Sequence, residues 1–227
     1  MTPVLADQLV DWSYVGDHIP EIRHALQQHL ALTVIAVGVG FAISCVLAAI
    51  AIRFRISYQP INAVAGVMYA VPSLALFILL TPIFGLTALT AEIALVSYTI
   101  QILFRAIVAG IDGVPDFVRE SATAMGYTRR KRLWSVEVPL ALPVIMGGLR
   151  IATVTTVGLV PIAGILGADQ GGLGTFIYDG LARDFKTPLL VGAVVTVALA
   201  VALDMVLVLT ERLLTPWLRR THAVAAS

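Results

Sequence analysis

The stretch Leu30-Ala-Leu-Thr-Val-Ile-Ala-Val-Gly-Val-Gly-Phe-Ala-Ile-Ser-Cys-Val-Leu-Ala-Ala-Ile-Ala-Ile52 carries no charge and stops at Arg53 and Arg55. At a rise of about 1.5 Å per residue, a helix of that length matches the thickness of a bilayer's hydrocarbon core, about 30 Å. Periodicity does not separate a core helix from a membrane helix here; length and charge depletion do. Four more runs behave alike. They are Ile61 to about Phe84, broken by Pro72 and Pro82; about Ile93 to Ile111; Leu142 to about Leu166, with Pro161 inside; and Leu189 to Leu209, ending at Glu211 and Arg212. Backbone groups in lipid must find partners within the segment, so each span is a helix. The alternating segments of a membrane β-barrel are absent. The expected fold is an all-α integral membrane protein with five spans.

Composition agrees. Of 227 residues, 59% are hydrophobic and 13% charged, and mean hydropathy is +0.92. Soluble proteins carry about 25% charged residues, and a domain of this size needs them to cover its surface. A soluble enzyme, a disordered chain and a disulfide scaffold are excluded. A net charge of +1 gives no electrostatic footprint for nucleic acid. The single cysteine, Cys45, forms no internal disulfide and reads as a small buried hydrophobe. No Cys/His cluster has metal-ligand spacing.

Charge placement sets orientation. With five spans, one side holds Arg53, Arg55, Arg119, Arg129, Arg130, Lys131, Arg132, Arg212, Arg219 and Arg220, ten of the fifteen basic residues. The other holds Arg23, Arg183 and Lys186. The positive-inside rule then puts the C-terminus in the cytoplasm and the N-terminus outside. Residues 1–28 carry Asp7, Asp11, Asp17 and Glu21 and lack the basic start of a signal peptide. Trp12, Tyr14 and Ile19 make this extracytoplasmic segment either a short interfacial helix or a polar lead-in. Residues 29–215 form the transmembrane domain, and 216–227 a cytoplasmic tail. Trp134 and Trp217, set among basic residues, read as interface anchors.

The longest cytoplasmic segment is the loop 112–143. Pro115 suits a helix start, and Asp116 and Glu120 favour its positive end. Phe117, Ser121, Ala124 and Met125 share one face, and Gly126 can take the left-handed cap. Arg129 to Arg132 begin a second short helix through Val136, stopped by Pro139 and Pro143. From composition alone, this helix–turn–helix is either a docking element or a solvated hairpin whose basic run meets water or lipid headgroups.

Glu120-Ser-Ala-x-x-x-Gly126 followed by Val136-Glu-Val-Pro-Leu-Ala-Leu-Pro143 resembles the EAA loop of permease subunits of binding-protein-dependent ABC importers. Ser121 stands where that pattern has its first alanine. Ala70-Val-Pro-Ser-Leu-Ala-Leu76 and Gly171-Gly-Leu-Gly-Thr-Phe-Ile177 look like the osmoprotectant branch, which takes up glycine betaine, carnitine or choline. The resemblance covers about residues 25 to 215. It implies the type I permease fold and a bacterial inner-membrane location. It also implies a coupling helix seated in a separate cytoplasmic ATPase that holds the ATP and Mg, with no cofactor in this chain. By that resemblance Glu120, Ser121, Ala122 and Gly126 are the ATPase-coupling residues. Glu120 makes polar contacts, Ala122 packs closely and Gly126 makes the turn. The implied partners are ATPase subunits, a second permease subunit, identical or paralogous, an extracytoplasmic binding protein and membrane lipid.

Other residues bear on transport. Breaks in spanning helices line cavities more often than lipid, which singles out Pro72, Ser73 and Pro161, with Gly158 and Gly164. Thr153 and Thr156 share a face and offer hydroxyls, or else serve helix packing. Asp204 is the one acid placed deep in an expected span, where charge is costly and normally paired; Arg105 and Arg150 are its candidate partners. Gly171, Gly172 and Gly174 read as a flexible outer turn. His18, His24, His29 and His222 fall in polar flanks. There is no Gly-x-x-x-x-Gly-Lys-Ser/Thr phosphate loop and no nucleophile–base arrangement, so an enzyme is not expected. An aromatic content of 7% leaves no dense cage for a quaternary ammonium, and high-affinity recognition is expected on the binding protein. An amino-acid permease of the methionine type, or one for ergothioneine, is the alternative within the class. A channel or secondary transporter would show inverted repeats or several intramembrane charges.

Overall fold

The structure, a computed structural model, describes residues 10–164 and 171–217. Every regular element among them is helical. In chain order these are α1 (Trp12–Asp17), α2 (Ile19–Arg53), a 3-10 turn (Arg55–Ser57), α3 (Tyr58–Ala70), α4 (Ser73–Phe84), α5 (Ala88–Asp112), α6 (Asp116–Ala124), α7 (Arg129–Arg132), a π turn (Leu133–Glu137), α8 (Val138–Ala163), α9 (Gly174–Ala182) and α10 (Lys186–Leu214). Four helices are long and apolar enough to cross a membrane: Ile19–Arg53, Ala88–Asp112, Arg129–Ala163 and Lys186–Leu214. The pair Arg55–Ala70 and Ser73–Phe84 makes a fifth when the two count as one broken span. Residues 1–9, with Asp7, the end of span four beyond 164, and 218–227, with Arg219, Arg220 and His222, lie outside the described residues.

Prolines punctuate these helices in three ways. Pro20, Pro60 and Pro188 sit in first turns, where the missing N–H has no helical partner to lose. Pro72 disfavours the α conformation at Val71 and caps α4 with an extended ψ of 132°, which breaks span two where expected. Pro82, expected as a second break, lies within α4 and does not interrupt it; the helix ends two residues later. Pro139 and Pro143 do not stop the helix that begins at Arg129. The π turn, closed by the Val138 N–H on the Leu133 carbonyl, re-phases the backbone just before Pro139, and one helix runs from Arg129 to Ala163.

The described residues pack as two compact units. The first comprises the described parts of Met1–Ala36, Val71–Leu95 and Thr155–Ala202. Its core gathers Ala25, Leu173 and Phe176, with Ile22 and Leu26 against them. The N-terminal segment is a helix here: the Asp11 side chain caps α1 on the Ser13 and Tyr14 amides. The Ser13 hydroxyl, then the Tyr14 amide, holds the Asp11 carboxyl below the usual carboxylate range. The Asp11 N–H donates to Thr187 Oγ1 at 2.9 Å, and the Tyr14 ring meets Phe185 edge-on.

Two expectations are corrected in this unit. His29 is fully buried, because α2 starts at Ile19, well before the apolar run. Its Nε2 donates to the Val157 carbonyl at 3.0 Å. The glycine cluster is a packing element, not a flexible turn. Gly172 has φ +50°, its N–H donates to Gln28 Oε1 at 3.2 Å, and a Cβ there would lie 2.7 Å from the His29 Cβ. A Cβ on Gly174 would lie 2.5 Å from Pro161.

The second unit comprises the described parts of Val37–Ala70, Val96–Val154 and Leu203–Ser227. Its core brings Ala48 and Ala51 of α2, Phe104, Ile107, Val108 and Ile111 of α5, and Ala141 and Ile145 of α8 together. Small residues let these helices approach closely, as in membrane bundles. A Cβ on Gly148 would overlap the Ala106 methyl, whereas one on Gly147 meets nothing within 4 Å. Gly148→Val is therefore expected to cost about 1–3 kcal/mol, read as a lower thermal midpoint of the purified protein. Gly147→Val makes the same change in helix propensity without the clash and is the control. Equal midpoints for the two variants would refute this packing.

Candidate functional site

The loop between α5 and α8 is a folded unit. Pro115 occupies the N-cap of α6 with φ −60° and ψ 141°, and Asp116 lies in the first turn, where the helix dipole favours an acid. At the other end Gly126 has φ +80°. The Met125, Gly126 and Tyr127 amides fold back on the Ser121, Thr123 and Ala122 carbonyls at 3.0, 2.9 and 3.1 Å. A side chain at 126 would be strained in that region. Thr128 then caps α7 on the Lys131 amide.

A buried acid braces the loop from behind. Glu137, 6% exposed, accepts from Arg132 Nε at 2.7 Å, and Arg119 Nε lies 4.0 Å from its other oxygen. Arg132 Nη1 also donates to Thr123 Oγ1 at 2.9 Å. Arg119 Nη2 donates to the Ile111 carbonyl at 2.5 Å, at the end of α5, and Nη1 to Asp116 at 3.1 Å. The two arginines thus tie α6 to α5 and to the π turn at the root of α8.

The outer face of α6 is open. Phe117 and Met125 are 69% and 68% exposed, and Glu120, Ser121 and Ala124 are exposed beside them. The Ser121 hydroxyl is turned inward, donating to the Phe117 carbonyl at 2.7 Å. Ala122 is 1% exposed, so its small size serves packing within this chain and it does not face outward.

The remaining candidates separate. Arg150 and Asp204 form a two-point ion pair, Nε to Oδ1 at 2.7 Å and Nη2 to Oδ2 at 3.0 Å, which joins α8 to α10. Glu211 stands 3.9 Å from Arg150 Nη1. Arg105 takes no part; it lies exposed in a small pocket beside Tyr58, Gln59 and the Arg55–Asp112 pair. Pro72 and Ser73 form the break in span two. Thr153 and Thr156 are buried, and the Thr153 hydroxyl is spent on the Leu149 carbonyl at 2.8 Å. Pro161 is covered by Gly174.

Comparison with known proteins assigns this arrangement of apolar helices and braced loop to a family. The family described as the binding-protein-dependent transport system inner membrane component matches residues 38–219. The chain belongs to that family. It is 34% identical over 208 residues to the osmoprotectant import permease protein OsmW of Salmonella typhimurium, covering 89% of this chain and 96% of that one. It is 32% identical over 196 residues to the choline transport system permease protein OpuBB of Bacillus subtilis, covering 86% and 89%. Among solved structures, an inward-facing form of the MetNI methionine ABC transporter superposes with a TM-score of 0.73 at 20% identity, covering 86% of this chain and 96% of that one. An amino acid ABC transporter crystallised with histidines gives 0.72 at 22% identity, covering 89% and 98%. These likenesses establish the type I ABC importer permease fold.

Several features of this permease were not read from sequence. Glu137 lay inside the quoted motif without a role, since its partners Arg119 and Arg132 meet it only in the fold. Glu92 stood just ahead of the expected start of span three. It belongs to α5, and both its carboxylate oxygens are buried without a hydrogen-bond partner. Tyr69 and Tyr98 face each other edge-on at 5.8 Å between ring centres. Nearby on the same two helices, Gln101 Nε2 donates to Asn62 Oδ1 at 3.5 Å.

Proposed function

We propose that this chain is the permease subunit of an ATP-driven importer of a small compatible solute such as glycine betaine, choline or carnitine. The similarity to permeases of osmoprotectants and choline over most of the chain supports that substrate class. Likeness to the amino-acid transporters is at fold level and favours no substrate.

In this proposal, separate cytoplasmic ATPase subunits bind ATP and Mg and seat the exposed face of α6. Phe117, Ser121, Ala124 and Met125 supply its surface and Glu120 its polar contact. Gly126 sets the turn, and Ala122 holds the helix to its own loop. A second permease subunit completes the path, and an extracytoplasmic binding protein delivers the solute. In this proposal the loop and the C-terminus lie in the cytoplasm, an orientation that the basic residues around the loop favour. Closure of the ATPases shifts the balance between inward- and outward-open states, and the loop carries that shift to α8.

Gly126→Asp is the test of coupling. A side chain strains the left-handed turn, so ATP-coupled uptake in proteoliposomes should fall at least tenfold while the binding protein still captures solute. Normal uptake by this variant would refute the role of the turn. Titrating the partner binding protein with betaines, choline, carnitine, ergothioneine and methionine tests the substrate class. Tightest binding of methionine would overturn it.

A further inference from the structure

A cavity of about 770 Å³ opens in the second unit between the last turns of α2, the end of α5 and the root of α8. One wall is Phe41, Cys45, Ala49 and Ile52, and Leu142 and Ile145 face it. This surface is apolar. At one end the character changes abruptly: Arg53, Arg55, Arg119, Arg129, Arg132 and Trp134 line the same space, with one acid, Glu137, among them.

Three of these five arginines are already compensated. Arg55 is paired with Asp112, Arg119 with Asp116 and Arg132 with Glu137. Arg53 and Arg129 have no carboxylate at ion-pair distance among the described residues; Arg53 lies 5.1 Å from the Phe54 ring centre instead. Trp134 is 65% exposed beside them. The cavity therefore joins an apolar trough to two uncompensated guanidinium groups and an interfacial aromatic.

We propose that this cavity binds an anionic glycerophospholipid from the leaflet on the side of the loop. The phosphate meets Arg53 and Arg129, since a guanidinium offers paired donors matched to phosphate oxygens. An acyl chain covers the Phe41–Ile52 wall, and Trp134 lies at headgroup level. The combination selects against other occupants. A cationic solute is repelled by the arginines. A free phosphate leaves the apolar wall uncovered. A peptide segment would bring backbone polar groups into a trough that offers them few partners. Basic pockets between membrane helices are the usual setting for anionic headgroups. The bound lipid bridges α2 and the root of α8, directly behind the braced loop. The site does not depend on which solute is carried.

The test uses the full chain in phosphatidylcholine vesicles, with Trp12→Phe and Trp217→Phe so that Trp134 is the sole tryptophan. Brominated phosphatidylglycerol should quench Trp134 at least threefold more than brominated phosphatidylcholine at equal mole fraction. Arg53→Gln with Arg129→Gln should bring the two lipids to equality. In the wild-type chain, adding phosphatidylglycerol should slow maleimide labelling of Cys45, the sole cysteine, at least threefold, and soluble glycerol phosphate should not. Equal quenching by both lipids, with labelling indifferent to phosphatidylglycerol, overturns the site. Protection by glycerol phosphate alone makes it an anion site and overturns the lipid. Protection that follows protein concentration, or appears only when the ATPase is added, gives the cavity to a second copy or to the ATPase and also overturns it. Elution of the double variant at the wild-type volume confirms that lost preference is not lost fold.

Discussion

Glu137→Ala is expected to cut ATP-coupled uptake more than tenfold while the protein still inserts and assembles. Glu137 is the hub of the loop: its oxygens meet Arg132 and Arg119, and through them Thr123 of α6 and the Ile111 carbonyl of α5. Removing one partner of a buried ion pair costs about 3–5 kcal/mol. The two arginine side chains are 23% and 25% exposed and regain some hydration, so about 2 kcal/mol is the fairer figure. A factor of ten in an equilibrium accompanies each 1.4 kcal/mol. The docked geometry of α6 relative to α8 would then lose most of its population, and α6 would move without pulling the helix that starts at Arg129. Uptake in proteoliposomes should fall more than tenfold with ATP hydrolysis continuing, the mark of uncoupling. Glu137→Gln keeps one acceptor for Arg132 and should fall between. Arg132→Lys retains the charge but loses the fork that reaches both Glu137 and Thr123, and should uncouple partly. Wild-type uptake by Glu137→Ala would sink the brace.

The contrast between Glu137 and Gly126 shows where sequence is legible. The left-handed conformation of Gly126 is legible because such a cap is a local demand, written into one residue. The spans were legible for a similar reason: bilayer thickness imposes a length on each apolar run, and the runs at 30–52 and 189–209 need no tertiary knowledge. Glu137 depends on Arg119 and Arg132 meeting it in three dimensions, and spacing within Val136-Glu-Val-Pro139 says nothing of that. The same holds for Pro139, whose helix-stopping tendency is met by a π turn that no residue of the sequence announces. His29 was misplaced because helix α2 continues well outside the apolar run, carrying a polar residue into a buried contact with Val157. The role of Ala122 shifted as well. Smallness at that position was legible, but which neighbour required it was decided by the fold.

Asp204→Ala is expected to destabilise the permease strongly, and its rescue should reveal the nature of the site. Arg150 and Asp204 lie in the interiors of α8 and α10 and are joined at 2.7 and 3.0 Å. Loss of the carboxylate leaves Arg150 with Glu211 alone, at 3.9 Å. An unpaired arginine within a spanning helix is costly, and the residual Glu211 contact at 3.9 Å compensates it only in part. The thermal midpoint and the yield of folded protein should both drop. Replacing both residues, Arg150→Leu with Asp204→Leu, removes the unpaired charge and leaves two apolar side chains, which a spanning helix accepts readily. That double variant should therefore recover most of the stability lost by Asp204→Ala. A charge swap, Arg150→Asp with Asp204→Arg, should recover less, because the new carboxylate at 150 would stand near Glu211. The order Asp204→Ala below the swap below the double leucine distinguishes a structural clamp from a simple need for opposite charges. If the double leucine variant also transports, the pair only holds α8 to α10. A stable double leucine variant that fails to transport would instead assign these charges a part in the transport cycle, and an Asp204→Ala protein as stable as wild type would refute the clamp altogether.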